Sequence, residues 1–147
     1  MFSEFEKMTD KARQKRSSLA EEICEELRVH AAIEEDVFYP AVKSVRDKQA
    51  KFDIEEALQE HKQFKAAIAD IMKVEGEEPE FAAKMKVLKE DVEHHADEEE
   101  RETFKEARKL GNKRLESLGA EMQERKQRLA SAGSRNRQPQ QEAADPQ

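Results

Sequence analysis

The chain has 147 residues, of which 41% are charged and only four each are Gly and Pro, a balance that suits long helices with solvated outer faces and gives strands little support. No apolar run nears the roughly 18 residues needed to span a bilayer, the opening Met-Phe-Ser-Glu-Phe-Glu-Lys lacks a secretory core, and Cys24 is the single cysteine, so a cytoplasmic protein without membrane anchor or disulfide is expected. The net charge of −7 falls on the residues before Ser131, because Arg135 and Arg137 offset Glu142 and Asp145, and so acidic a domain is a poor partner for nucleic acid.

From about Asp10, read as an N-cap, apolar residues recur as Leu19, Ile23, Leu27, Val37, Phe38, Ala41 and Val45, the three-and-four spacing of one helical face. His30 and Glu34 fill the gap in that series. Pro40 removes a backbone donor and crowds the preceding turn, which predicts a kink near Tyr39. After a break near Lys48 to Lys51, a second helix carries Ile54, Leu58, Phe64, Ile68 and Ile71 or Met72, with His61 in the same stripe. Gly76 and Pro79 read as a stop and restart. A third helix then presents Phe81, Met85, Leu88, Val92, Ala107 and Leu110, its gap filled by His95, Glu99 and Thr103.

Beyond Gly111 a weaker amphipathic stretch, Leu115, Leu118, Met122 and Leu129, reads as a short helix lying across the others. The expected organisation is one all-α domain over residues 1–130 and a disordered tail over 131–147, where Ser, Gly, Arg, Gln and Pro dominate.

The polar residues on the inner faces carry the functional reading. Residues four apart share a helical face, so His30 with Glu34, and His95 with Glu99, each aim an imidazole and a carboxylate into one small volume. Burying unpaired carboxylates at two core positions costs several kcal/mol each unless a cation lies between them. Height gives a second test. With connections near Gln49 and Glu77 and about 1.5 Å of rise per residue, Glu34 and His61 lie roughly 22 and 18 Å from the first turn, and His61 and His95 roughly 24 and 27 Å from the second. Three antiparallel helices thus bring these groups to one layer. A single inward histidine is more often a hydrogen-bonded core residue, but three of the four histidines share this layer and two have a same-face glutamate, which favours a metal site. Imidazole and carboxylate without thiolate suit iron, manganese or zinc, iron first. His94 lies off the stripe and is expected in solvent; Cys24, Tyr39 and Phe104 are read as packing residues, although Tyr39 and Phe104 follow the two glutamates at the same offset, which hints at two equivalent halves.

The stretches "ELRVHAAIEEDVFYPAV", "EALQEHKQF" and "VLKEDVEHHADEEERETFKEAR" together resemble the hemerythrin-like, HHE cation-binding domains over about residues 2–130. The resemblance implies an up-down antiparallel helical bundle holding a pair of non-haem irons, with His30, His61 and His95 as terminal ligands and Glu34 and Glu99 as bridges. Ferritin-like di-iron proteins use Glu-x-x-His in the opposite order, and no such pair occurs here. Two departures stand out. The family's first helix brings another ligand histidine, and this chain starts too late to contain it, with Phe2, Phe5 and Met8 reading as that truncated helix's last turns. Lys65 stands where the family can carry a further ligand, and the aromatic-Pro after the second motif is Phe104-Lys105. The fourth wall of the bundle is therefore expected to be mostly missing, with a homodimer as one way to complete it. The function implied is binding or sensing of dioxygen or nitric oxide, or holding of iron, rather than catalysis, since no acid, base or nucleophile stands apart from the ligands. The alternative is a metal-free helical protein that self-associates through an exposed apolar groove.

Overall fold

The computed structural model describes residues 1–7, 13–74 and 79–137. Among them no strand occurs, and the helices pack as an antiparallel bundle. Helix α1 spans Phe2–Lys7 and α2 spans Arg13–Ile33; the expected cap Asp10 falls outside the described residues. At Glu34 the second helix widens into a π-helical turn, π1 (Glu34–Phe38), and resumes as α3 (Tyr39–Lys43). This is the form taken by the irregularity expected at Pro40, which has no N–H for the preceding turn. Proline is not the whole cause. Helix α5 (Glu80–Glu98) passes through a second such turn, π2 (Glu99–Thr103), into α6 (Phe104–Arg108), and that stretch has no proline. Both turns open at the glutamate of a His-x-x-x-Glu pair and close on an aromatic residue: the N–H of Tyr39 donates to the Glu34 carbonyl, and that of Phe104 to the Glu99 carbonyl.

Between these helices lies α4 (Lys48–Lys73). The break before it falls at Ser44–Asp47, not at Lys48 to Lys51, because Arg46 turns the chain with φ 54° and Asp47 caps the new helix by accepting the Gln49 N–H at 2.8 Å. The stop expected at Gly76 lies outside the described residues. Gly111, at φ 86°, ends α6 in the left-handed conformation that favours glycine and lets the chain reverse into α7 (Asn112–Arg137).

The sequence reading of a short helix across the bundle is corrected by α7, whose 26 residues run back along α2. Leu118 packs with Phe38 and Val42, Arg125 pairs with Asp36 at 2.8 Å, and Leu129 faces Leu27 and His30 across a groove. Leu115, Leu118 and Met122 form one stripe against π1 and α3, and Leu129 continues it beside α2. The fourth wall is accordingly present in part: α7 lines one end and α1 the other, where Phe5 meets Phe81 edge-on at 5.5 Å and Arg16 covers both rings. Helix α7 also carries residues 131–137, seven residues past the expected domain boundary, and 138–147 lie outside the described residues.

Two apolar cores result. One gathers Ile23, Cys24, Ile68, Ile71, Phe81, Met85 and Leu88 near α1; the other gathers Phe38, Val42, Ile54, Ala107 and Leu118 near α7. The polar side chains Glu34, His61, His95, Glu99 and Thr103 are buried between them.

Candidate metal centre

Three helical rods build the polar layer. Glu34 comes from π1, His61 from α4, and His95 and Glu99 from the end of α5 and the start of π2. Each of these four residues offers one ligand atom, and all four atoms lie within 4.8 Å of one another. Two of the spacings are those of a coordination sphere, His61 Nε2 to His95 Nε2 at 3.3 Å and His95 Nε2 to Glu99 Oε1 at 3.0 Å, while His61 Nε2 to Glu34 Oε1 is somewhat wider at 3.6 Å. Donors about 2.1 Å from one ion, at angles between tetrahedral and octahedral, would stand about 3.0–3.4 Å apart.

His30 is placed differently. Its side chain is 68% exposed on the rim of the layer, with Nε2 2.9 Å from Glu34 Oε1. The expected five-residue set thus divides into four that converge and one that reaches the site through Glu34. His94 lies in solvent beside Glu98, as its phase predicts.

The residues present fit a cation. Glu34 Oε1 is buried, with His30 Nε2 2.9 Å and His61 Nε2 3.6 Å away and no well-aligned hydrogen bond. A buried carboxylate oxygen held only by these two imidazoles, beside a second carboxylate, carries a desolvation cost that a bound cation would offset. The histidines are also oriented for ligation. His61 Nδ1 lies 3.3 Å from Glu35 Oε2, and His95 Nδ1 lies 3.1 Å from Glu60 Oε2. A carboxylate there can only accept, so each ring donates from Nδ1 and turns Nε2 inward, the arrangement that fixes metal-binding imidazoles. Lys65 grips both oxygens of Glu35 at 2.9 and 3.0 Å, so the position that could have held a further ligand instead steadies the carboxylate behind His61.

Tyr39 completes the layer. It is 1% exposed; its hydroxyl donates to Glu99 Oε1 and lies 3.1 Å from His61 Nε2 and 3.4 Å from His95 Nε2. Sequence reasoning missed Tyr39, Glu35 and Glu60 as site residues. In an α-helix Tyr39 would stand about 140° round from Glu34, and only the π turn returns it to the same face. Glu35 and Glu60 are each adjacent in sequence to a residue of the layer, Glu34 and His61, which was the available signal.

The charges are strongly linked. Burial pushes Glu34 up, but His30 and His61 beside it hold it well below the usual carboxylate range. Burial and the neighbouring Glu34 raise Glu99. Burial alone would lower His95, yet Glu99, Glu34 and Glu60 around it raise it to about 9. Burial, with Glu34 and Glu99 close by, keeps the Tyr39 phenol neutral far above its ordinary range. In the metal-free protein protons thus supply the positive charge that two buried carboxylates demand.

Compared with known families, residues 1–107 match the hemerythrin HHE cation-binding domain. Neither curated proteins nor solved structures give a match.

Proposed function

The chain belongs to the hemerythrin HHE cation-binding family, and on that premise we propose that it holds non-haem iron as a carboxylate-bridged pair and binds or senses a small diatomic, dioxygen or nitric oxide. The observation that carries this reading is the buried convergence of Glu34, His61, His95 and Glu99, two carboxylates and two imidazoles facing one small volume. Glu34 and Glu99 would bridge, His61 and His95 would hold one ion, and His30 with Glu34 would serve the second on the more open side. Iron in such a mixed imidazole and carboxylate set supplies reversible binding of a diatomic. The protein's own part is to orient the donors through Glu35 and Glu60 and to exclude water with the apolar cores on either side.

The open side supports the choice of a small ligand. A groove of about 760 Å³ between α1, α2 and α7 is lined by Phe2, Ile23, Leu27, Ile33, Val92 and Leu129, with His30 at its edge. A mostly apolar path beside a rim ligand suits a neutral diatomic better than a charged substrate. Binding without catalysis is part of the proposal, and turnover of peroxide or nitric oxide by the loaded protein would count against it. The same groove favours a second reading, a metal-free helical protein that pairs with another copy of itself.

Iron content after anaerobic reconstitution, followed by visible absorption before and after dioxygen, separates these readings. About two irons per chain on this di-iron reading, with an oxygen-dependent band, are expected; Glu34→Ala should abolish tight binding. Negligible iron together with concentration-dependent self-association would establish the second reading instead.

A further inference from the structure

We propose that Tyr39 is a ligand of this centre, its phenolic oxygen binding the same ion as His61 and His95. The inference rests on the metal-binding reading above and goes beyond it by adding an oxygen donor that neither the His-x-x-x-Glu motifs nor the sequence spacing supplies.

Geometry carries the argument. The Tyr39 hydroxyl meets three of the four convergent groups: it donates to Glu99 Oε1, and it lies 3.1 Å from His61 Nε2 and 3.4 Å from His95 Nε2. Atoms at such mutual distances are spaced as donors to one ion, for about 2.1 Å metal–donor bonds. The ring is locked from behind, tilted against Phe38 at 5.8 Å and against His61 at 5.3 Å, so the oxygen has little freedom to leave the layer. The backbone is shaped for it as well. The Tyr39 N–H closes π1 on the Glu34 carbonyl, and that turn brings residue 39 over residue 34. On the matching turn π2 the residue at this place is Phe104, which has no oxygen and is 40% exposed. The centre is therefore lopsided, with phenol on one side alone.

The chemistry follows the donor type. Phenolate is a hard anionic oxygen, and like carboxylate it suits a ferric ion. On loading, the Tyr39 O–H bond breaks, an oxygen–iron bond forms and the proton leaves to solvent, with no change in electron count. In the metal-free protein that proton is the one shared with Glu99, so the hydroxyl stands in for the cation it later binds.

The chain contains one tyrosine and no tryptophan, which makes the test direct. The full-length protein is loaded with ferric iron, its iron is counted, and resonance Raman spectra are taken in the visible band, with and without ring-deuterated tyrosine. Expected are tyrosine ring vibrations enhanced by a phenolate-to-iron charge-transfer band, shifted by deuteration, with the phenol's ultraviolet absorption moving to that of phenolate as metal is added. Tyr39→Phe should lose the band and hold iron more weakly, yet still take it up at high protein and iron concentration, since on this assignment His61, His95 and the bridging carboxylates remain as donors. Bound iron without phenolate vibrations, or a band that persists in Tyr39→Phe, overturns this assignment and leaves the metal site standing. Wild-type protein that takes up no iron overturns both. If Tyr39→Phe does not fold, the isotope shift in the wild-type protein decides alone, because no other tyrosine can produce it.

Discussion

The two His-x-x-x-Glu segments have the same backbone and different surroundings. In each, the glutamate is buried and opens a π turn that an aromatic residue closes. On the second segment the histidine is inside, its side chain 7% exposed, and Glu60 of α4 accepts from its outer nitrogen. On the first, His30 stands 68% exposed at the rim, while Tyr39 turns inward and Phe104, its counterpart, turns out. Equal spacing thus sets which residues share a face, whereas burial depends on what the neighbouring helix presents there. The second segment meets α4, which supplies His61 and Glu60. The first meets α4 as well through Glu34, Glu35 and Tyr39, but its histidine, His30, borders a groove between α1 and α7 that supplies apolar side chains and space.

The largest test of this asymmetry is to delete each histidine. His95→Ala should lower iron affinity by at least ~100-fold, since it removes a converging donor and leaves Glu60 and Glu99 without their imidazole; His30→Ala should cost ~10-fold, closer to the loss of a supporting group, and keep at least one iron per chain. Competition against a chelator of known affinity measures both. Equal losses would mean that the two halves become equivalent once metal is bound.

A smaller effect is expected one layer out. Glu60→Gln retains an acceptor for His95 but removes the charge that sharpens its basicity, and should weaken iron binding ~10-fold. Glu35→Gln should do the same through His61 and also release Lys65. If neither changes affinity, the inward orientation of the two rings is fixed by packing alone.

These outer carboxylates mark where the sequence stopped being legible. The three-and-four periodicity exposed the helices, the layer of His61, His95, Glu34 and Glu99 and most of the core, because a helix carries its inner face in its spacing. The spacing could not show that π turns interrupt the count at Glu34 and Glu99, so Tyr39 was read as packing when its hydroxyl lies in the layer. Nor could it show that the partner of His30 would be a groove. Helix α7 was underread for a related reason: its stripe of Leu115, Leu118, Met122 and Leu129 is sparse, and only its fit against π1, α3 and α2 gives it length.

Protonation offers a finer contrast between the halves. His95 titrates at about 9 in the metal-free protein, raised from an ordinary 6.5. A raised value means that its charge stabilises the fold fully below pH 6.5 and that this contribution is lost as the pH rises through about 9. The ceiling on the loss is roughly 3 kcal/mol from the size of that shift. His30 is raised too, by Glu34, but stands in solvent where its pairing is screened. Urea midpoints of the chelator-treated protein should therefore fall between pH 6.5 and 9, less so in His95→Gln and almost unchanged by His30→Gln. A fall that persists in His95→Gln would place the responsible proton elsewhere.

The smallest expected effect comes from making the halves alike. Phe104→Tyr gives π2 the phenol that π1 already has, at the matching position. Phe104 meets Phe38 edge-on at 5.8 Å and is 40% exposed, so the new hydroxyl would point toward water and stability should change by no more than about 0.5 kcal/mol. Iron content and the visible spectrum should be those of the wild-type protein. A second phenolate band would show that the ring swings inward when offered an oxygen. The outward position of Phe104 would then reflect its lack of a polar group, and the asymmetry of the centre would lie in one residue's chemistry instead of in the packing around it.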